Sequence, residues 1–79
     1  MIIVKMQYYE LGKYIKHKRE QNGWTLNKFA IECDVDPAIL CRIENQKQNI
    51  KMNVLVKLAR GFGKSPAEFL TEFEENIKK

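Results

Sequence analysis

No stretch of roughly 18 apolar residues occurs in this 79-residue chain, so no segment reads as a helix able to cross a bilayer. The apolar opening MIIV is too short for a signal peptide and is interrupted by Lys5. With no secretion signal and no membrane partner to read, a reducing cytoplasm is the expected compartment. The chain has only two cysteines, Cys33 and Cys41, and neither needs a disulfide there. These two and the single histidine, His17, match no zinc spacing, so no metal site is expected. His17 stands apart from any nucleophile and there is no glycine-rich phosphate loop, so catalytic residues and a cofactor are not expected either. Repeats and low-complexity tracts are missing as well. What remains is 44% apolar, enough for one small packed domain with a modest core.

Charge is plentiful and uneven. Residues 1–64 hold twelve Lys/Arg against six Asp/Glu, a net of +6, whereas residues 65–79 hold two against four, a net of −2. The basic part calls for an anionic partner, most naturally nucleic acid.

The punctuation divides the chain into five helices, about 8–21, 25–33, 36–45, 52–62 and 65–77, after an extension over 1–7. In the first, Leu11, Tyr14, Ile15, Lys18 and Asn22 share a face by helical spacing. Only the first three are good core residues, the lysine offering its stem. Asn22-Gly23 is a stop signal. Thr25 caps the second helix, and Trp24 and Phe29 fit a hydrophobic staple; Phe29, Ala30 and Cys33 face inward. Asp36 caps the third helix with Pro37 in its first position. Val35 and Leu40 repeat the staple, and Leu40 and Ile43 face inward. NQKQNI, residues 45–50, reads as a loop. The fourth helix buries Leu55, Leu58, Ala59 and Phe62, with Lys51 a poor cap and Gly63 the terminating glycine. Ser65-Pro66-Ala67-Glu68 opens the fifth as a capping box. That helix carries Phe69, Leu70, Phe73 and Ile77, with an acidic polar face. The β-branched residues of MIIVKMQ would suit a short strand through which two chains pair. An unstructured start is the simpler expectation, and Met6 is an alternative initiator.

Two short helices joined by a three- or four-residue turn make a helix-turn-helix unit, whose second helix can lie in a DNA major groove. Periodicity alone does not separate this from any small helical bundle. The order and spacing of four motifs do: LGKYIKHKRE, then GWTLNKFA, then V-x-P-x-x-L-x-R-I-E-N from Val35 to Asn45, then LVKLARGFGKSPAEFL. Together they span residues 11–70, and this segment resembles the phage repressor and Cro-type helix-turn-helix (XRE) family. The resemblance implies an all-α, five-helix, lambda-repressor-like DNA-binding domain with the helix-turn-helix at helices two and three. It also implies a transcriptional regulator that is usually dimeric. In the family a partly buried salt bridge joins the first and third helices, and the matching residues here are Arg19 and Glu44. The competing reading leaves Arg19 exposed on a phosphate.

With Leu40 and Ile43 inward, the outward face of the third helix is Pro37, Ala38, Cys41, Arg42 and Asn45, with Ile39 at its margin. These positions match those that read bases or phosphates in the family. Arg42 is the expected chief base reader, because arginine can bond guanine O6 and N7 together. Ala38 and Ile39 can meet a thymine methyl, and Cys41 and Asn45 complete the base-reading set. A single arginine with methyl contacts is a thin code, leaving room for readout of DNA shape. The expected phosphate contacts are Thr25, Leu26, Asn27 and Lys28 at the start of helix two, Pro37, and the loop residues Gln46, Lys47, Gln48 and Asn49. Leu26 departs from the family's usual glutamine there and leaves only backbone N–H groups to bind phosphate. Asp34 and Gln46 stand where glycine is common, and aspartate tolerates a left-handed conformation better than most residues. Lys13, Lys16, His17 and Lys18 read as a solvated basic face.

Phe73 and Ile77 are expected at a dimer interface, the alternative being that Phe73 folds back on the first helix. A homodimer would place two recognition helices about 34 Å apart on a palindromic operator in double-stranded DNA. No separate ligand domain is visible, so no small-molecule ligand is expected. A different functional class stays open: a protein-interaction module that reuses the fold, supported by the apolar recognition face and Leu26 and opposed by the basic charge. A redox role for Cys41 has only the neighbouring Arg42 to activate the thiol.

Overall fold

The computed structural model describes the backbone of residues 10–77 and the side chains of residues 10–76. The N-terminal extension, the strand or chain pairing considered for it, Met6, the first two residues expected in helix one and the Ile77 side chain lie outside the described residues. Within them the order is α1 (Leu11–Gln21), α2 (Leu26–Cys33), α3 (Pro37–Glu44), α4 (Met52–Gly61) and α5 (Pro66–Ile77), with no strand.

Local chemistry sets the helix starts. The Thr25 hydroxyl accepts from the Lys28 amide at 3.2 Å, and the Asp36 carboxylate from the Ala38 amide at 2.8 Å. At α5 the capping box closes both ways: the Ser65 amide donates to Glu68 Oε1 at 2.9 Å and the Glu68 amide to Ser65 Oγ at 3.1 Å. These bonds hold the Glu68 carboxyl below its ordinary value. Lys51, at the start of α4, makes no side-chain cap.

The ends of α1 to α4 share one device. A residue in the left-handed region, Gly23, Asp34, Gln46 or Gly63, turns the chain. The next amide then reaches back to the carbonyl five residues earlier: Trp24 to Arg19, Val35 to Ala30, Lys47 to Arg42, Lys64 to Ala59. This is the Schellman closure, which satisfies helix-end carbonyls and reverses the chain sharply.

The reversals bring the apolar stripes together. Ile15, Phe29, Ala30, Leu40, Leu58, Ala59 and Phe69 are almost wholly removed from water, with Leu11, Cys33, Val35, Ile43, Leu55 and Phe73 around them. A large aliphatic or aromatic side chain so placed contributes about 1.5–3 kcal/mol. Trp24 stacks on Phe29 at 5.3 Å between ring centroids, the staple partners of α2. The aromatic contacts continue through Phe62 to Phe69, so Phe62 is only half-buried yet central to the packing. Burial pushes the Cys33 thiol up to about 11, where it behaves as a small apolar residue.

Phe73 corrects an expectation. Its ring is 1% exposed and lies 5.3 Å from Tyr14, so it is used by the chain's own core and has no surface left for a partner. Lys18 is half-buried, and Asn22 is exposed with its side-chain amide on the Lys18 carbonyl.

Candidate nucleic-acid interface

The candidate surface is built on α3, and α3 is held from behind. Leu40 and Ile43 enter the core. Gly12 of α1 lies against the backbone of α3 so closely that an added Cβ would land on the Ile43 carbonyl oxygen. Gly12, Ile15 and Arg19 are spaced three and four residues apart, so all three face the same neighbour. Arg19 completes the seam. Its Nε donates to Glu44 Oε2 at 2.8 Å and its Nη2 to Glu44 Oε1 at 3.0 Å, a two-pronged pair. Its Nη1 donates to the Trp24 carbonyl at 2.6 Å. One guanidinium therefore ties α1 to α3 and to the corner that starts α2. Arg19 is 7% exposed and Glu44 5%, and the hydrogen bond to Glu44 raises the arginine pKa above its ordinary value. Among the described residues no buried side-chain nitrogen or oxygen lacks a partner, so the polar seam is fully satisfied.

The opposite face of α3 meets solvent. Ala38, Cys41, Arg42 and Asn45 are exposed, and Pro37 and Ile39 are half-buried. Asn45 uses its amide on its own helix, donating to the Cys41 carbonyl at 2.9 Å and to Cys41 Sγ at 3.4 Å. Arg42 Nε donates to Gln48 Oε1 at 2.8 Å, joining α3 to the loop that follows it.

The expected phosphate contacts form two flanks. At the start of α2, Thr25, Asn27 and Lys28 are exposed, while the Leu26 side chain is half-buried against the core and leaves its backbone to face outward chemistry. After α3, Gln46, Lys47 and Asn49 are exposed and Gln48 is half-buried. Both corners around α3 use left-handed residues that are not glycine, Asp34 at φ 60° and Gln46 at φ 62°. Asp34 is supported from α4, where Lys57 Nζ donates to its carbonyl at 3.1 Å and reaches its carboxylate at 3.4 Å.

Sequence reasoning missed four features of this surface: the Gly12 approach, the Trp24 carbonyl on Arg19, the Lys57 support of Asp34 and the Arg42–Gln48 bond. Only the first had a signal, a glycine in helical register with Ile15 and Arg19. The others depend on where the corners send the chain.

A family model described as helix-turn-helix matches residues 15–69, from the middle of α1 into α5. This chain belongs to the XRE-type helix-turn-helix family of DNA-binding regulators. The match takes in both helices of the motif, the Arg19–Glu44 seam and the loop after α3. Among solved structures, this XRE-type regulator is similar to a mutant of the restriction-modification controller protein C.Esp1396I, with a TM-score of 0.81 and 21% identity over 98% of each chain. At that identity the likeness is one of fold. No curated protein gives a significant match. Among the described residues, no helix of the regulator is long and apolar enough to cross a membrane, and no cluster of His, Cys, Asp and Glu could hold a metal ion.

Proposed function

We propose that this regulator reads double-stranded DNA through the major groove with α3, using Arg42 as the chief base reader, and acts as a small dimeric repressor or autoregulator on a palindromic operator. The observation that carries this reading is the contrast across α3: its inner face is locked to α1 by Arg19 and Glu44, and its outer face presents Arg42 to solvent. A rigidly held helix with an exposed arginine suits two-pronged recognition of guanine. Ala38 and Ile39 supply apolar contact for a thymine methyl, and Cys41 and the remaining polar group of Asn45 sit beside them. The start of α2, through Thr25, Leu26, Asn27 and Lys28, together with Pro37 and the loop residues Gln46, Lys47 and Asn49, forms the flanks where the backbone of the duplex would run. Phosphate contacts there set register without reading sequence.

A dimer is proposed because one short helix with one strong base reader specifies few base pairs, and two half-sites about 34 Å apart double the code. With Phe73 used internally, the second copy must pack on other residues. A DNA partner together with the free thiols Cys33 and Cys41 fits a reducing cytoplasm.

Selection of binders from a randomised duplex pool at near-physiological salt tests the reading. An enriched inverted repeat is expected. Arg42→Ala should abolish preference among sequences, while Lys47→Ala should weaken all sequences alike and flatten the salt dependence by about one ion. Equal loss of preference in both variants would remove Arg42 from its role. A second reading, a module that binds protein through apolar surface, is favoured by Ile31 of α2 and Met52 of α4, 70% and 66% exposed, and by the apolar start of α3. It predicts no enriched duplex and a partner whose binding is insensitive to salt.

A further inference from the structure

The loop after α3 carries a residue whose role differs from that of its neighbours. Lys47 and Asn49 are exposed, as a phosphate contact would be. Gln48 between them is half-buried; with Gln46 and Asn49 it borders the groove that Leu11, Gly12, Ile43 and Leu55 also line. Its carbonyl oxygen is the acceptor for Arg42 Nε at 2.8 Å.

The chain geometry explains how residues six apart meet. Helical spacing would put a residue six positions on from Arg42 on another face. Gln46, at φ 62°, breaks the helix, and the Lys47 amide then bonds the Arg42 carbonyl at 2.8 Å. The chain is thereby folded back over the end of α3, and Gln48 returns beside Arg42. The left-handed turn at Gln46 and the side-chain bond are parts of one arrangement.

We propose that Gln48 is a positioning residue for base reading: by accepting from Nε it fixes the Arg42 guanidinium and leaves the two Nη groups to face guanine O6 and N7 end-on. This inference rests on the reading of Arg42 as base reader. An arginine on an exposed helix face otherwise loses rotamer freedom when it binds, and a neighbour that orders it beforehand removes part of that cost. Gln48 is uncharged, so it adds nothing to the salt-dependent attraction that Lys47 provides, and with Oε1 held by Arg42 its contribution is to sequence preference.

The test uses the full chain and the duplex that wins the randomised-pool selection, beside the same duplex with each guanine exchanged in turn. The readout is the ratio of the two affinities. Gln48→Leu is expected to lower that ratio by roughly threefold to tenfold at the guanine read by Arg42, from the ordering cost of one long side chain. Gln48→Glu, which keeps an acceptor for Nε, is expected to retain the ratio while lowering affinity for all duplexes through its charge. In an Arg42→Ala background, Gln48→Leu should change the ratio no further. A proton NMR signal from Arg42 Hε, protected from exchange in the free wild-type protein and in Gln48→Glu but lost in Gln48→Leu, would support the same conclusion without DNA. The proposal is overturned if Gln48→Leu leaves the ratio intact and weakens every duplex equally, in both backgrounds, since that is the signature of a phosphate contact. If Arg42→Ala itself leaves the ratio unchanged, the base-reading role falls first and the positioning role with it. These two failures are told apart by the single Arg42 variant.

Discussion

On its inner side α3 buries Leu40 and Ile43 in the core and meets α1 through a glycine contact at Gly12 and the two-pronged pair of Arg19 with Glu44. On its outer side the side-chain bonds are local and exposed, Asn45 to Cys41 and Arg42 to Gln48. The inner side is dry and redundant, so the angle of the helix is over-determined. The outer side is wet, so its side chains can change without unfolding the domain. The division separates two kinds of residue: fold energy lies on one face, and the other can vary without cost to the fold.

The largest break in this contrast should come from Glu44→Ala. It strands the buried Arg19 charge and is expected to cost about 3–5 kcal/mol in urea unfolding. Removing Arg19 as well should cost less than the sum of the single changes, because no lone charge then remains. Gly12→Ala comes next. Its methyl group would press on backbone and not on a yielding side chain, so α1 and α3 must separate, at an expected cost of about 2–3 kcal/mol by the same measurement. Arg42→Ala sharpens the comparison from the other side. Unfolding stability should change by less than about 0.5 kcal/mol, because the residue is exposed. A loss of several kcal/mol would show that the outer face also carries the fold.

Small effects also belong to the corners. Gln46 pays a left-handed cost of roughly 1–2 kcal/mol that glycine avoids, partly offset by the greater freedom glycine loses on folding. Gln46→Gly should therefore shift stability in thermal or urea unfolding by no more than about 1 kcal/mol, because relief of the left-handed conformation is offset by the side-chain interaction that Gln46 gives up. Asp34→Gly should shift it as little, since it gives up the contact with Lys57 and aspartate already tolerates this conformation.

The caps at Thr25, Asp36 and Ser65 and the stops at Gly23 and Gly63 were legible because each acts within a few residues of itself. The same holds for the core stripe of Leu40 and Ile43, which follows from helical period alone. Phe73 was not assignable between the chain's own core and a partner, because periodicity tells which face of a helix is apolar and not what covers it. The Arg19–Glu44 seam was expected by resemblance. The added bond to the Trp24 carbonyl became visible only once the first corner was in place.

By itself, then, the sequence determined the five helices, the caps and stops named above and the apolar faces, since these rest on local spacing and on chemistry within a turn, while the family followed from the resemblance of four motifs in order. Tertiary structure alone decided that Phe73 belongs to the core, that Gly12 sets the approach of α1 to α3, and that Gln48 meets Arg42. Each of those depends on the direction in which a left-handed corner sends the chain, and on which surfaces then close against one another.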